Sequence, residues 1–358
     1  MKSRVYFLPA AETEDPGAVA AKARRLLRRT GFLESLSEED FTALKIHFGE
    51  KNNRGHIRAE WLPGVISDIR ARAPRAFLTD SNTLYTGARS NAVDHIRLAW
   101  EHGFRPEALD VPVIIADGLI GGDVREARGA AGHVTAAKIA GAIRSADALL
   151  VLTHVTGHLQ TGIGASIKNM GMGCASRAGK LDQHASTHPR IQARSCRDCG
   201  LCREHCAAGA IRQLEGRVEI DDGRCTGCGE CMVVCKFGAV RWRWDEDVRR
   251  VQEKVAEYAK LVQDHFRGKI AFLNFIIRVT KDCDCMAASQ RPIVSDIGIA
   301  ASRDPVAVDK ASADLVLRRA GKDPFRAGYD LDWSLQMDHG RKIGLGSLDY
   351  ELIELGED

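Results

Sequence analysis

Eleven cysteines stand in the chain, and eight of them fall in two runs, CRDCGLCREHC (196–206) and CTGCGECMVVC (225–235). Both runs read C-x2-C-x2-C-x3-C. Three thiolates on one tight loop can face three corners of an iron–sulfur cubane, and a fourth, further along, reaches across to a second cluster. Small residues such as Gly200, Gly227 and Gly229 let the backbone wrap the inorganic core. The spacing therefore assigns Cys196, Cys199, Cys202 and Cys235 to one [4Fe–4S] cluster, and Cys225, Cys228, Cys231 and Cys206 to another. The two halves also match beyond cysteine, with CAAGAI after the first quartet and CKFGAV after the second, so the segment is an internal repeat. Zinc knuckles use paired C-x2-C units rather than two runs of four.

The runs resemble those of two-cluster bacterial ferredoxins, with one departure: Ala207 and Lys236 replace the proline that normally follows the fourth cysteine. Two such clusters form a path for single electrons.

Three cysteines remain. KDCDC (281–285) places Cys283 and Cys285 two positions apart, and on a strand those positions share one face. Cys174 lies in the glycine-rich SIKNMGMGCASRAGKLDQH (166–184), which can approach a ligand closely. Together Cys174, Cys283 and Cys285 would hold a third [4Fe–4S] cluster with one iron open for chemistry, or a zinc ion with His184 or His158 as a further ligand. The plainer alternative makes Cys174 a small buried hydrophobe.

Polar residues gather after the predicted strands. THVTGH (153–158) supplies His154 and His158, and Lys168, Asn169, Arg177 and Lys180 follow. Lys45, His47 and Glu50 follow one strand; Asp80, Asn82, Thr83, Tyr85 and Arg89 follow another. The cations Lys45, Lys168 and Arg177 suit a carboxylate or phosphate, and the histidines suit proton transfer. Neither GxxxxGK[ST] nor GxGxxG occurs, so no nucleotide site is predicted, and no motif argues for or against a flavin.

These residues need a scaffold. SRVYFLPA, TALKIHFG, RAFLTD, VPVIIADG and DALLVLTHV read as short apolar strands, with helical spacing over Pro16–Thr30, Glu60–Arg72 and Ser90–His102. The alternation predicts an α/β layered, mostly parallel sheet. It resumes after the cysteine block with KIAFLNFIIRVT, PIVSDIGI and a helix opened by Asp304-Pro305. The expected organisation is an α/β unit made of 1–190 plus 268–358, an inserted α+β two-cluster ferredoxin-like unit at 191–245, and a connecting helix at 246–267. A net charge of +3 from 51 basic and 48 acidic residues argues against a nucleic-acid or membrane-surface protein. No apolar run reaches the length of a membrane span, and the apolar stretch Val5–Ala11 is too short for a secretory signal and reads better as a first strand. That reading, with so many cysteines, predicts a reducing, cytoplasmic setting.

KIHFGE, TDSNTLYTGAR, THVTGH, KNMGMGCASRAGK, KDCDC and SRDPVAVDKASADL together resemble a family of uncharacterised iron–sulfur-centre proteins of bacteria and archaea, a domain of unknown function with a ferredoxin insert. The resemblance spans nearly the whole chain. It implies the inserted-unit architecture and the clusters, and favours joint action of Cys174, Cys283 and Cys285; it implies no activity. The reading favoured is an oxidoreductase in which the clusters pass electrons to a small anionic substrate, with a redox protein as partner. The alternatives are an electron-transfer adaptor and a metal-binding or sensing protein.

Overall fold

The computed structural model describes residues 2–85, 87–129, 132–184, 189–206, 208–214, 216–225, 231, 234–241 and 247–356. Eight strands form the central sheet: β1 (Ser3–Pro9), β2 (Phe41–Lys45), β3 (Arg75–Asp80), β4 (Val113–Ile115), β5 (Ala148–His154), β6 (Ile270–Ile276), β7 (Gly298–Ser302) and β8 (Tyr350–Glu354). Their order is β8-β1-β7-β6-β5-β2-β3-β4. Five of the seven neighbouring pairs are parallel; only β7 runs against its neighbours β1 and β6. This is the mostly parallel α/β sheet that the alternation predicts.

Both faces are covered, and the strands are accordingly almost continuously apolar. Along β5, Leu149 and Val151 enter one core while Ala148, Leu150 and Leu152 enter the other. Helices α1 (Pro16–Arg29) and α2 (Pro63–Arg70) cover the second face, with α3 (Ala92–Glu101) at its margin. Helices α4 (Ser166–Gly171), α6 (Val248–His265) and α7 (Pro305–Ala320) cover the first, with α5 (Arg177–His184) packed against α6. Helix α1 starts where Asp15 accepts the amide of Ala18 and Pro16 takes the first turn; α7 starts the same way at Asp304 and Pro305.

Two details differ from the sequence reading. PIVSDIGI is strand only from Gly298. Asp296 turns the preceding stretch across the sheet end, because its carboxylate accepts the amides of Arg278 and Glu12. KDCDC also lies beyond β6, in turns: the amide of Met286 donates to the carbonyl of Cys283. Strand alternation therefore does not bring its two cysteines together.

The cysteine segment has its own small packing. Arg190–Ile191 pairs antiparallel with Val240–Arg241, so the segment's two ends lie side by side. A hairpin joins Ile211–Leu214 to Arg217–Ile220. Among the described residues its buried apolar core is Ile211, Cys231 and Val240.

Candidate active site

β6, β5, β2 and β3 are adjacent and mutually parallel, so the loops after them leave from one edge. From β2 the chain moves on to its neighbour β3, and from β5 to its neighbour β6 on the opposite side. Loops therefore diverge between β2 and β5, the position where open α/β sheets form crevices. A cavity of about 650 Å³ opens there. Each strand end and the loop after it supply part of the lining: Lys45 and His47 at β2, Asp80, Ser81, Tyr85 and Arg89 at β3, His154 and His158 at β5, and Cys283 to Met286 after β6. Helix α4 adds Lys168 and Asn169, and α5 adds Lys180 and His184.

The floor is a buried charge network. Lys45 Nζ lies 3.0 Å from Asp80 and donates to Asn169 Oδ1 at 2.8 Å. Arg89 faces Glu50 at 3.2 Å and Asp80 at 3.5 Å, and donates to Tyr85 Oη. Burial alone would raise the Asp80 carboxyl, but Lys45, His47, His95 and Arg89 hold it well below the usual carboxylate range. Asn169 also donates to Thr153 and to the carbonyl of Leu152, which ties α4 to the end of β5. Gly173 permits this closeness: a Cβ there would sit 2.2 Å from the carbonyl oxygen of Asn169 and 2.7 Å from Lys45 Nζ.

Two lysines of the lining have no carboxylate within ion-pair distance among the described residues. Lys180 donates to Ser81 Oγ and to the carbonyl of Ala175; Lys168 has no hydrogen-bond or ion-pair partner among the described residues and lies within electrostatic reach of Asp284, Arg89, Lys45 and Asp80. Burial lowers both ammonium groups to about 8. Both remain mostly charged at neutral pH, so the cavity favours an anion.

The two histidines differ in what their ring nitrogens face. His154 places Nδ1 2.9 Å from Asp284 and Nε2 2.9 Å from the carbonyl of Ile277. Both partners are acceptors, so both nitrogens donate and the ring is an imidazolium. Burial opposes that charge, but Asp284 and the carbonyls raise its pKa. His154 is thus a fixed cation that holds Asp284, and with it the KDCDC turn. At His158, Nδ1 accepts the backbone amides of Thr161 at 3.1 Å and Gln160 at 3.3 Å. A nitrogen that accepts amide protons carries none itself. His158 is therefore neutral with its proton on Nε2, in keeping with burial, which pushes it well below its ordinary value.

The sulfurs of Cys283 and Cys285 are joined as a disulfide. His158, Cys283 and Cys285 also form the one group of metal-ligand type among the described residues, with ligand atoms within 4.8 Å of one another. The expected third member, Cys174, is elsewhere. It is buried in the apolar core, outside the cavity lining, and burial pushes its thiol up to about 12. Arg177 is likewise behind the cavity: its side chain lies against Gly121 and donates to the carbonyl of Ile120. Glu50 and Asn82 also stand behind it, the first on Arg89 and the second on Asp117.

A model for the family described as Domain of unknown function (DUF362) matches residues 42–314, more than half of the chain. The chain belongs to the DUF362 family. The matched region of this DUF362 protein carries the whole cavity lining and the cysteine segment between. No curated protein matches the chain significantly. Among solved structures it is similar to the lactate racemase apoprotein from Thermoanaerobacterium thermosaccharolyticum, at 11% identity and a TM-score of 0.43, covering 89% of this chain and 58% of that one. It is also similar to a protein from Thermotoga maritima, at 8% identity and a TM-score of 0.41, covering 86% and 59%. The chain spans under two thirds of the length of either.

The DUF362 chain has a second constellation in its cysteine segment. Cys196, Cys199, Cys202 and Cys235 line one small cavity with apolar neighbours such as Ile191 and Val240. Burial and the nearby Cys235 and Cys196 raise the Cys202 thiol, which shows how closely the sulfurs converge. Repetition appears in the hydrogen bonds: Cys206 Sγ accepts the amide of Ala210 at 3.2 Å, and Cys235 Sγ accepts that of Ala239 at 3.2 Å. Gly209 and Gly238, three residues after each cysteine, both take positive φ, 56° and 58°. Cys228, Ala207, Gly227 and Gly229 lie outside the described residues.

The sequence reading had passed over Ser81 and Asp309. Ser81 is the acceptor for Lys180; its only signal was its place directly after Asp80. Asp309, on α7, accepts the amides of Ser166 and Ile167 at 2.8 Å and Asn274 Nδ2 at 2.9 Å. It caps α4 from outside the cavity and so orients Lys168 and Asn169. No helix among the described residues is long and apolar enough to cross a membrane.

Proposed function

We propose that this chain is an iron–sulfur oxidoreductase. In this reading the cysteine segment, 191–245, is an inserted two-cluster ferredoxin-like unit. It passes single electrons to the cavity of the α/β unit, 1–190 plus 268–358, where a small anion reacts. The observation that carries the reading is the convergence of Cys196, Cys199, Cys202 and Cys235 on one cavity, the set that the cysteine spacing assigns to one cluster. Four thiols and inward amides fit a [4Fe–4S] cluster. When bound, the clusters supply one-electron transfer at low potential.

The cavity's own residues supply the rest. Lys168 and Lys180 hold the anion, and His154 with Asp284 fixes the turn that carries the sulfurs. The Cys283–Cys285 disulfide is a two-electron acceptor: two electrons and two protons open it to a dithiol. The two protons come from solvent, while His158, already neutral, keeps its Nε2 proton and offers it in that lining as a hydrogen bond. A metal at Cys283 and Cys285 fits less well, because Cys174 is absent from the group and the His158 tautomer offers a donor rather than a lone pair. A redox protein outside this chain would load the clusters.

The test is elemental and spectroscopic. Protein purified without oxygen is to be assayed for iron, acid-labile sulfide and zinc, as wild type and as the Cys283→Ala/Cys285→Ala variant. The expected result is about eight irons and eight sulfides in both. Zinc without sulfide would overturn the electron-transfer reading. About twelve irons in wild type alone would restore a third cluster.

A further inference from the structure

We propose that the cavity takes a carboxylic acid with an apolar body, its carboxylate on Lys168 and Lys180 and its hydrocarbon toward Leu159 and Met286. The inference rests on reading the cavity as an anion site and adds the shape and class of the anion.

The lining carries charged, polar and apolar groups. The charged groups gather at the sheet edge, where Lys45 and Arg89 are neutralised by Asp80 and Glu50. Lys168 and Lys180 stand out from that network without a carboxylate of their own among the described residues, and both lie within electrostatic reach of Lys45, Arg89 and Asp80. Away from the floor, Leu84, Ala165 and Met172 are buried apolar walls, while Leu159 and Met286 are 49% and 42% exposed and form an apolar rim. Large apolar side chains left half in water beside a cavity mouth are stabilised when a ligand covers them. A cavity of about 650 Å³ is far larger than acetate or phosphate needs and falls in the range of sites that enclose a drug-sized molecule.

The donors present favour a carboxylate over a phosphate. Phosphate sites use helix N-terminal amides and the arginine fork. Here the first amides of α4, those of Ser166 and Ile167, are already given to Asp309. Arg89 is committed to Glu50, Asp80 and Tyr85. What remains is two ammonium groups and the Nε2–H of His158, enough for one carboxylate.

Calorimetric titration of the anaerobic protein with acetate, butanoate, hexanoate and octanoate tests this, with octanamide and inorganic phosphate as comparators. Affinity should rise about fourfold per methylene along the acids until the cavity is full. Octanamide should bind at least tenfold more weakly than octanoate, and phosphate no better than acetate. Lys168→Met should cost octanoate at least tenfold. Leu159→Ser should flatten the chain-length series while acetate binding stays as in wild type. A flat series, an amide that binds like its acid, or phosphate tighter than octanoate would overturn the proposal. The series needs no electrons. If acids bind as expected in protein without cluster iron, only the redox reading falls; if the series is flat in protein with full iron and sulfide, only this one does.

Discussion

The cavity of Cys196, Cys199, Cys202 and Cys235 is backed by a buried core that, among the described residues, amounts to Ile211, Cys231 and Val240. The cavity at the sheet edge sits on two apolar cores that cover both faces of eight strands. On the reading proposed above, the sulfurs of the first region have little scaffold and depend on the clusters they bind. In the second, a scaffold that is stable by itself holds charges that would otherwise repel or desolvate at a cost. A ligand-dependent region announces itself through spacing, because the ligand sets the geometry. A scaffold-dependent one does not, because the fold does.

Removing the metal should separate the two regions most sharply. On the cluster reading, anaerobic chelation is expected to abolish amide-exchange protection across 190–241 while β5 and β6 keep theirs, since a segment with so small a core among its described residues would fold on its metal. Hydrogen exchange with mass spectrometry checks this. Equal loss in both regions, or in neither, would remove the distinction.

Asp80→Asn tests the converse. It leaves Lys45 and Arg89 buried with one carboxylate fewer and should destabilise the α/β unit by about 3–5 kcal/mol in urea unfolding. Iron and sulfide per chain should stay at the wild-type level. Lost iron in this variant would mean that the cysteine segment leans on the sheet after all.

Much of this was legible beforehand, and unevenly. The strands could be found because parallel strands buried on both faces are nearly unbroken apolar runs. DALLVLTHV and KIAFLNFIIRVT became β5 and β6. Lys45, Asp80, Arg89, His154, His158 and Lys168 could be nominated because each ends a strand or lies in the stretch that leaves one, and parallel strands deliver those stretches to one edge. Cys174 and Arg177 could not be told from their neighbours. On α5 and the stretch before it, one residue faces the cavity and the next the core, and only packing decides which: Lys180 faces in, Arg177 does not. Asp309 was hidden for another reason. It acts on α4 across 143 residues of chain, and no local pattern reports such a cap.

Within the cavity, the fixed cation at His154 gives a pH signature. His154→Gln should cost about 2–3 kcal/mol by leaving Asp284 without its partner. The His154 pKa is raised, so its stabilisation is full below its ordinary value near 6.5 and fades as pH rises through the folded value. Asp284 has the opposite sign. Burial would raise it, but His154 brings it down to about 2, so its stabilisation is full above 3.8 and fades as pH falls toward 2. The gap between wild type and variant should therefore be widest between about pH 4 and 6.5. A gap that does not change with pH would show that the pair is not ionised.

Thr161→Val should do the least, and the smallness is informative. The hydroxyl lies 2.9 Å from His158 Nδ1, but it also donates to the carbonyl of Ile163 at 2.8 Å, and two backbone amides already point at the same nitrogen. Its loss should cost about 0.5–1 kcal/mol and leave the tautomer unchanged. Nitrogen NMR of the histidine rings near neutral pH reads this directly. His158 should show a bare Nδ1 and a protonated Nε2 in both proteins, while His154 shows two protonated nitrogens. If His158 instead carries its proton on Nδ1, its Nε2 has a lone pair to offer beside Cys283 and Cys285. The sulfur pair would then read as a metal site rather than as a disulfide beside a hydrogen-bond donor.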